Sequence, residues 1–256
     1  MGTISQNDAL FEYLIRLADD HFILGHRLSE LCGHAPMLEE DLALSNIALD
    51  MIGQARVLYQ YAGEVEGKGR DEDGLAFLRK EHEYHNLMLV ERPNADFAHT
   101  IVRQLFFSLY AETLWQALAV SNDHRLAQIA AKAHKESIYH VRHAAEWLIR
   151  LGDGTAESAA RAKNAVVTMA PHIGEMFECD EYTTLLSEAG IIVDPSELEA
   201  AWRESINPIF AEAAIDVALL DVVPLTGARQ GEHTEAMGHI LAELQYIQRT
   251  YPGCQW

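Results

Sequence analysis

Apolar residues recur along this chain at steps of three and four, and no stretch alternates convincingly enough to read as a strand. Between Asp41 and Tyr59, the residues Leu44, Ile47, Ala48, Met51, Ile52, Ala55 and Leu58 form a wide stripe on a 3.6-residue helix, suited to a bundle core. An earlier stretch, about Asn7 to Leu31, carries Leu10, Leu14, Leu17, Ile23, Leu24 and Leu28. Gly33 and Pro36 end it and leave room only for a short turn, so the two helices are predicted to lie antiparallel.

The segment Ala62 to Asn94 has a different character. It begins with glycines and charges (GEVEGKGRDEDG), continues as a short amphipathic piece and closes on Pro93-Asn94, so it reads as a long connection holding one short helix. A second helix pair follows, about Asp96 to Val120 and Asn122 to Leu151, closed by Gly152 and Gly154. Two helix pairs joined by one long crossover is ferritin-like connectivity. Beyond it, Thr155 caps a helix running toward Cys179 that Pro171 bends. Asp194-Pro195-Ser196-Glu197 starts another, expected to reach about Leu220, and a last helix spans Thr234 to Thr250. The reading is all-α: a ferritin-like four-helix bundle with additional C-terminal helices, one domain over residues 1–256.

Composition narrows the function classes. With 49% apolar residues the chain can bury a large core, and its net charge of −20 comes from 39 acidic residues against 19 Lys and Arg. Such a surface repels phosphate-rich ligands, so nucleic acid is excluded as a partner, and a coenzyme A thioester would be held poorly. No apolar run reaches the ~20 residues needed to span a bilayer. The segment Leu105 to Val120 is interrupted by Glu112 and Gln116, and the N-terminus lacks the basic and small-residue signature of a secretory signal. Cys32, Cys179 and Cys254 are far apart and odd in number, which points to reduced thiols and a cytoplasmic protein, not a disulfide framework.

Ferritin-like di-iron bundles take a Glu-x-x-His pair from each of two helices and one carboxylate from each of the others. No Glu-x-x-His occurs anywhere in this chain. Glu30/His34, Glu81/His85, Glu136/His140 and Glu235/His239 are spaced i, i+4, where ordinary helix-surface pairing explains them, and His34 falls past Gly33. The run Glu81-His82-Glu83-Tyr84-His85 is read as a solvated charged face, and Asp96 before His99 as a helix-starting acid. Phosphate loops, HExxH motifs and nucleophile elbows are absent.

Four stretches carry a resemblance: GHAPMLEEDLALSNIALDMIGQAR (33–56), LVERPNADFAHTIVRQ (89–104), KESIYHVRHAAEWLIRLGDGTAES (135–158) and HTEAMGHILAELQYIQRTYPGCQW (233–256). Together they resemble the PaaC-type structural subunit of the multicomponent phenylacetyl-CoA epoxidase, nearly end to end. The resemblance implies a ferritin-like protein that pairs with a homologous iron-bearing catalytic subunit, which holds the di-iron centre and the thioester. The remaining components are a small accessory subunit and a reductase using flavin, an iron–sulfur cluster and NADPH. The whole complex forms the ring 1,2-epoxide of phenylacetyl-CoA.

Carried over residue by residue, the resemblance implies that most ligands are lost. Ser29-Glu30 looks like the Ser-Glu pair supplying the first ligand, so Glu30 is retained. The Asp-Glu-x-Gly-His run of the second helix corresponds to Asp50-Met51-Ile52-Gly53-Gln54, which puts Met51 and Gln54 in place of glutamate and histidine. Ser108 stands for the third helix's carboxylate. In the fourth, Ser137 replaces the glutamate while His140 is kept. One carboxylate and one imidazole supply too few anionic oxygens for two irons. A Glu30–His140 contact, with Gln54 joining it, is expected to satisfy the survivors, and Met51 is expected to pack in the core. The expected role is structural support, with no metal, cofactor or catalytic residue in this chain and with homodimers when it is isolated. The competing readings are an independent metal-dependent oxygenase or ferroxidase with an unrecognised ligand set, and a module that docks the thioester.

Overall fold

The structure, a computed structural model, describes residues 4–254. Trp256, which the resemblance also matches, lies outside the described residues. Eleven α-helices occur among those described: α1 (Gln6–Ser29), α2 (Leu38–Glu66), α3 (Glu72–Phe77), α4 (Met88–Glu91), α5 (Phe97–Leu118), α6 (His124–Gly152), α7 (Ala156–Met169), α8 (Glu181–Glu188), α9 (Pro195–Glu212), α10 (Glu235–Leu244) and α11 (Tyr246–Thr250). No strand occurs among them, and the fold is an all-α, ferritin-like bundle.

Capping decides several of the boundaries. Ser5 and Asp8 form a reciprocal capping box on α1, and Asp96 accepts the backbone N–H of His99 at 2.9 Å to start α5. Asp194 accepts the Ser196 N–H at 2.9 Å with Pro195 in the first turn of α9, as expected from the sequence. Other boundaries differ. The stripe of α2 continues through buried Ala62 to Glu66 and ends on left-handed Gly67, so the connection to α5 starts later than predicted and contains two short helices. The helix from Thr155 stops at Met169, where Pro171 enters a 3-10 turn, and α8 follows it unforeseen, capped by Asp180. Helix α9 ends at Glu212 because Ala214 takes a left-handed conformation (φ 53°), leaving Val217–Leu220 as a separate 3-10 turn. The last predicted helix is broken at Gln245, whose side-chain amide donates to the Arg79 carbonyl and the Tyr84 hydroxyl.

Helices α1 and α5 form the centre. Each is buried on nearly every side, α5 continuously from Thr100 to Ala111, whereas α2 and α6 each bury one stripe. Helix α6 buries Leu126, Ala130, Ala133, Ser137, His140, Ala144 and Leu148, a register of three and four. At the α1–α2 crossing Gly25 admits a close approach, since a Cβ there would stand 2.8 Å from Ile52 Cγ1 and 3.3 Å from the Ala48 carbonyl. The α2–α6 contacts run antiparallel, from His143–Glu40 at one end to Tyr61–Asp123 at the other. Helices α7 and α9 pack on α5, and the Trp202 indole donates to the Phe106 carbonyl at 3.0 Å. No helix among the described residues is long and apolar enough to cross a membrane, and the three cysteines are free and exposed.

Candidate functional site

The middle turns of α1, α2, α5 and α6 surround the place where a ferritin-like bundle would carry metal. Met51 is 1% exposed and packs in the core as expected. Gln54, buried beside it on α2, turns its amide to Glu136 Oε2 at 2.8 Å. Ser108 accepts a hydrogen bond from the Gln104 amide at 2.9 Å, along its own helix. Ser137 donates to the Ala133 carbonyl at 3.0 Å, again within one helix. His140 Nε2 lies 3.1 Å from Asp50 Oδ2, and burial holds this imidazole below its ordinary pKa despite the carboxylate. Gln54, Ser108, Ser137 and His140 each have a partner within the bundle, while Gln104 Oε1 and His21 Nε2 are buried without one.

Glu30 is not part of this layer, and the expected Glu30–His140 contact does not exist. Glu30 occupies the C-cap of α1, where it accepts two hydrogen bonds from Arg27, at 2.8 and 2.9 Å, and one from the Asn94 amide at 3.2 Å. The residue that α1 does direct at the layer is His21, 1% exposed and close enough to His140 for the two rings to repel when charged. Its ring sits 5.1 Å from Phe107 and 5.3 Å from Trp115, centroid to centroid. Nδ1 lies 2.7 Å from the Leu17 carbonyl, so it carries the proton, and burial pushes the pKa down to about 4. Sequence reasoning missed His21. The signal was available, because Leu14, Leu17, His21, Leu24 and Leu28 step by three and four along one stripe.

These residues do not fit two irons. The layer offers His21 and His140 as nitrogen donors and no buried carboxylate from Met51, Gln54, Ser108 or Ser137, and neutral imidazoles cannot neutralise two hard cations. Among the described residues, no group of three or more His, Cys, Asp or Glu is arranged to hold a metal ion. The i, i+4 pairs fare similarly. His34 lies in the turn after α1, and Glu136 binds Gln54 while His140 binds Asp50. The Glu81–His85 run is not simply a solvated face: His85 Nδ1 meets Glu12 Oε1 at 2.6 Å, and the Glu81 carbonyl meets His233.

A second polar cluster, invisible in the sequence, surrounds the crossover. Asp19 and Asp20 on α1 are both fully buried; Asp19 binds Arg79, and Asp20 binds Arg229 at 2.9 and 3.0 Å. Buried Glu91 accepts from His233, Thr234 and Asn86. Glu175, 1% exposed, accepts the Met88 N–H at 3.0 Å, and burial pushes its carboxyl up to about 8. A folded-state pKa raised in this way favours folding fully below the ordinary value of 4.5, and that contribution is lost as pH rises through about 8. Glu175→Gln is therefore expected to flatten this part of the stability profile and to leave the variant on the order of 2 kcal/mol ahead of the parent at its alkaline end. Urea titrations across that window would read the difference; parallel profiles would contradict it.

Over residues 2–256 the chain matches the family described as Phenylacetic acid catabolic protein. It is 47% identical over 247 residues to a protein of Escherichia coli (strain K12) named as one of the subunits of 1,2-phenylacetyl-CoA epoxidase, an alignment covering 96% of this chain and 99% of that relative. The chain, an all-α bundle matched over nearly its whole length, thus belongs to the phenylacetic acid catabolic protein family.

Proposed function

We propose that this chain is a non-catalytic, supporting subunit of a multicomponent di-iron epoxidase acting on the ring of phenylacetyl-CoA. One observation carries the reading: the central layer of Met51, Gln54, Ser108, Ser137, His140 and His21 offers two imidazoles and no carboxylate of its own, and its side chains are held by hydrogen bonds and packing except at His21 Nε2, which is buried without a partner. The relative's name as part of an epoxidase supports the substrate and the existence of companions. In this proposal the irons belong to a homologous catalytic subunit, and the assembly also includes a small accessory subunit. A reductase with flavin, iron–sulfur and NADPH supplies electrons in the cytoplasm. The supporting chain stabilises its partner's folded state by binding it, an effect set by mass action.

Metal analysis tests this directly. The purified chain, incubated with ferrous salt and desalted, is expected to retain far less than one iron, whereas the homologous subunit retains about two. Epoxidation should require both chains. Stoichiometric iron and oxygen consumption by this chain alone would replace the proposal with an independent oxygenase or ferroxidase.

A further inference from the structure

We propose that His233 is a proton-operated clasp: as an imidazolium it fastens the start of α10 to the crossover between α2 and α5, and losing its proton loosens that attachment. The inference goes beyond the supporting role and stands whether or not that role holds.

Both ring nitrogens of His233 meet oxygens. Nδ1 lies 2.7 Å from Glu91 Oε1, and Nε2 lies 2.9 Å from the Glu81 carbonyl and 3.1 Å from the Tyr84 carbonyl. A carboxylate and a carbonyl only accept, so both nitrogens must carry hydrogen, and an imidazole with two N–H groups is the charged form. A neutral ring would turn a lone pair on one of these oxygens. The imidazole is 3% exposed and Glu91 is fully buried, so water does not readily replace a lost hydrogen bond. Among the described residues His233 is also the one ion-pair partner of Glu91, whose other side-chain contacts, Asn86 and Thr234, are uncharged donors. Deprotonation would leave that buried carboxylate without its counter-charge.

The position of the pair gives it leverage on α10. Glu91 Oε2 accepts from both the N–H and the hydroxyl of Thr234, each at 2.7 Å, and Thr234 is the N-cap of that helix. Gly231, left-handed at φ 81°, brings the chain close against the crossover, where a Cβ would stand 2.6 Å from the His82 carbonyl. The segment's other donors to its surroundings do not change charge near neutrality: Arg229 on Asp20, Gln245 on the Tyr84 hydroxyl and Arg249 on the Arg79 carbonyl.

The charges that face His233 are Glu91 from α4 and Glu81 from the crossover, with Glu175 and His172 beyond Glu91 and with Glu232 and Glu235 flanking it in sequence. Burial alone would lower the pKa of this imidazole, but the Glu91 carboxylate and then Glu81 outweigh it and hold the group above its ordinary 6.5. The clasp therefore contributes fully below the ordinary value and is lost as pH rises through the raised one.

The test labels the histidine rings of the purified full chain with nitrogen-15 and follows each by NMR as pH rises, His233 being the signal that His233→Gln removes. Both of its nitrogens should carry hydrogen at neutral pH, and its midpoint should lie above 6.5. In parallel, amide hydrogen exchange over Met237 to Leu244, corrected for the intrinsic effect of pH, compares parent with His233→Gln at about pH 6 and about pH 9. Protection in the parent should fall about tenfold for each pH unit by which folding raises the midpoint. His233→Gln should be less protected at the lower pH and fall by less, the remainder coming from groups such as Glu175. If that variant does not fold, Glu91→Gln identifies the same ring, because it should lower this midpoint more than any other. A ring with one bare nitrogen at neutral pH, or one titrating at or below the ordinary value, would overturn the proposal. So would an equal fall in protection in parent and variant.

Discussion

Asp19→Ala should destabilise the folded chain by about 3–5 kcal/mol, read as a fall in the urea midpoint at unchanged slope. The carboxylate is completely buried and holds three different elements at once. It takes both terminal nitrogens of Arg79, the Tyr59 hydroxyl at 2.5 Å and the His85 N–H at 2.8 Å. Arg79 is 5% exposed, donates also to the Leu75 and Glu83 carbonyls, and stacks 4.0 Å from the Tyr84 ring centroid, so it cannot swing into water. Removing Asp19 would leave a buried guanidinium without its counter-charge, and that penalty exceeds the value of any one lost hydrogen bond. Asp19→Ala combined with Arg79→Met should lose distinctly less than the two single changes added together, the sign that they share one interaction. A loss below about 1 kcal/mol for Asp19→Ala would show that the pair is not what ties α1 to the crossover.

This pair also shows where sequence reading stopped. The stripe of α2, the caps at Asp96 and Asp194 and the two-pair topology all depend on residues close in the chain, so local pattern was enough. Asp19-Asp20 looks like the polar side of a helix, and nothing nearby says otherwise. Their partners, Arg79 and Arg229, are 60 and 209 positions away, brought in by the crossover and by a C-terminal loop whose path has no periodicity. Glu30 failed for a related reason. Residue type alone aligned it with a ligand, but it is nine positions beyond His21, roughly 13 Å along the helix at ~1.5 Å per residue, and outside the central layer. Helical phase would have corrected it: His21 continues the stripe of leucines, and Glu30 caps the end.

The second large effect concerns the layer itself. Met51→Glu, which restores one carboxylate where the resemblance places a ligand, should destabilise the chain by about 3–5 kcal/mol at neutral pH. Met51 is 1% exposed and surrounded by core, so a charged carboxylate there loses its water without gaining a cation. His140 offers little relief, since its Nε2 is already committed to Asp50. Burial would raise the new group's pKa, so the neutral acid is the form that the fold tolerates. Its penalty is smallest below the ordinary carboxylate range and grows as pH rises from there to the raised value. Ferrous iron should not rescue the variant, because one carboxylate with His140 and His21 remains short of the oxygen donors that a pair of irons demands. Urea titrations at several pH values, with and without anaerobic ferrous salt, separate the alternatives. If iron restores more than about 1 kcal/mol to Met51→Glu, the layer is a metal site lacking a single ligand and not one closed by its own packing.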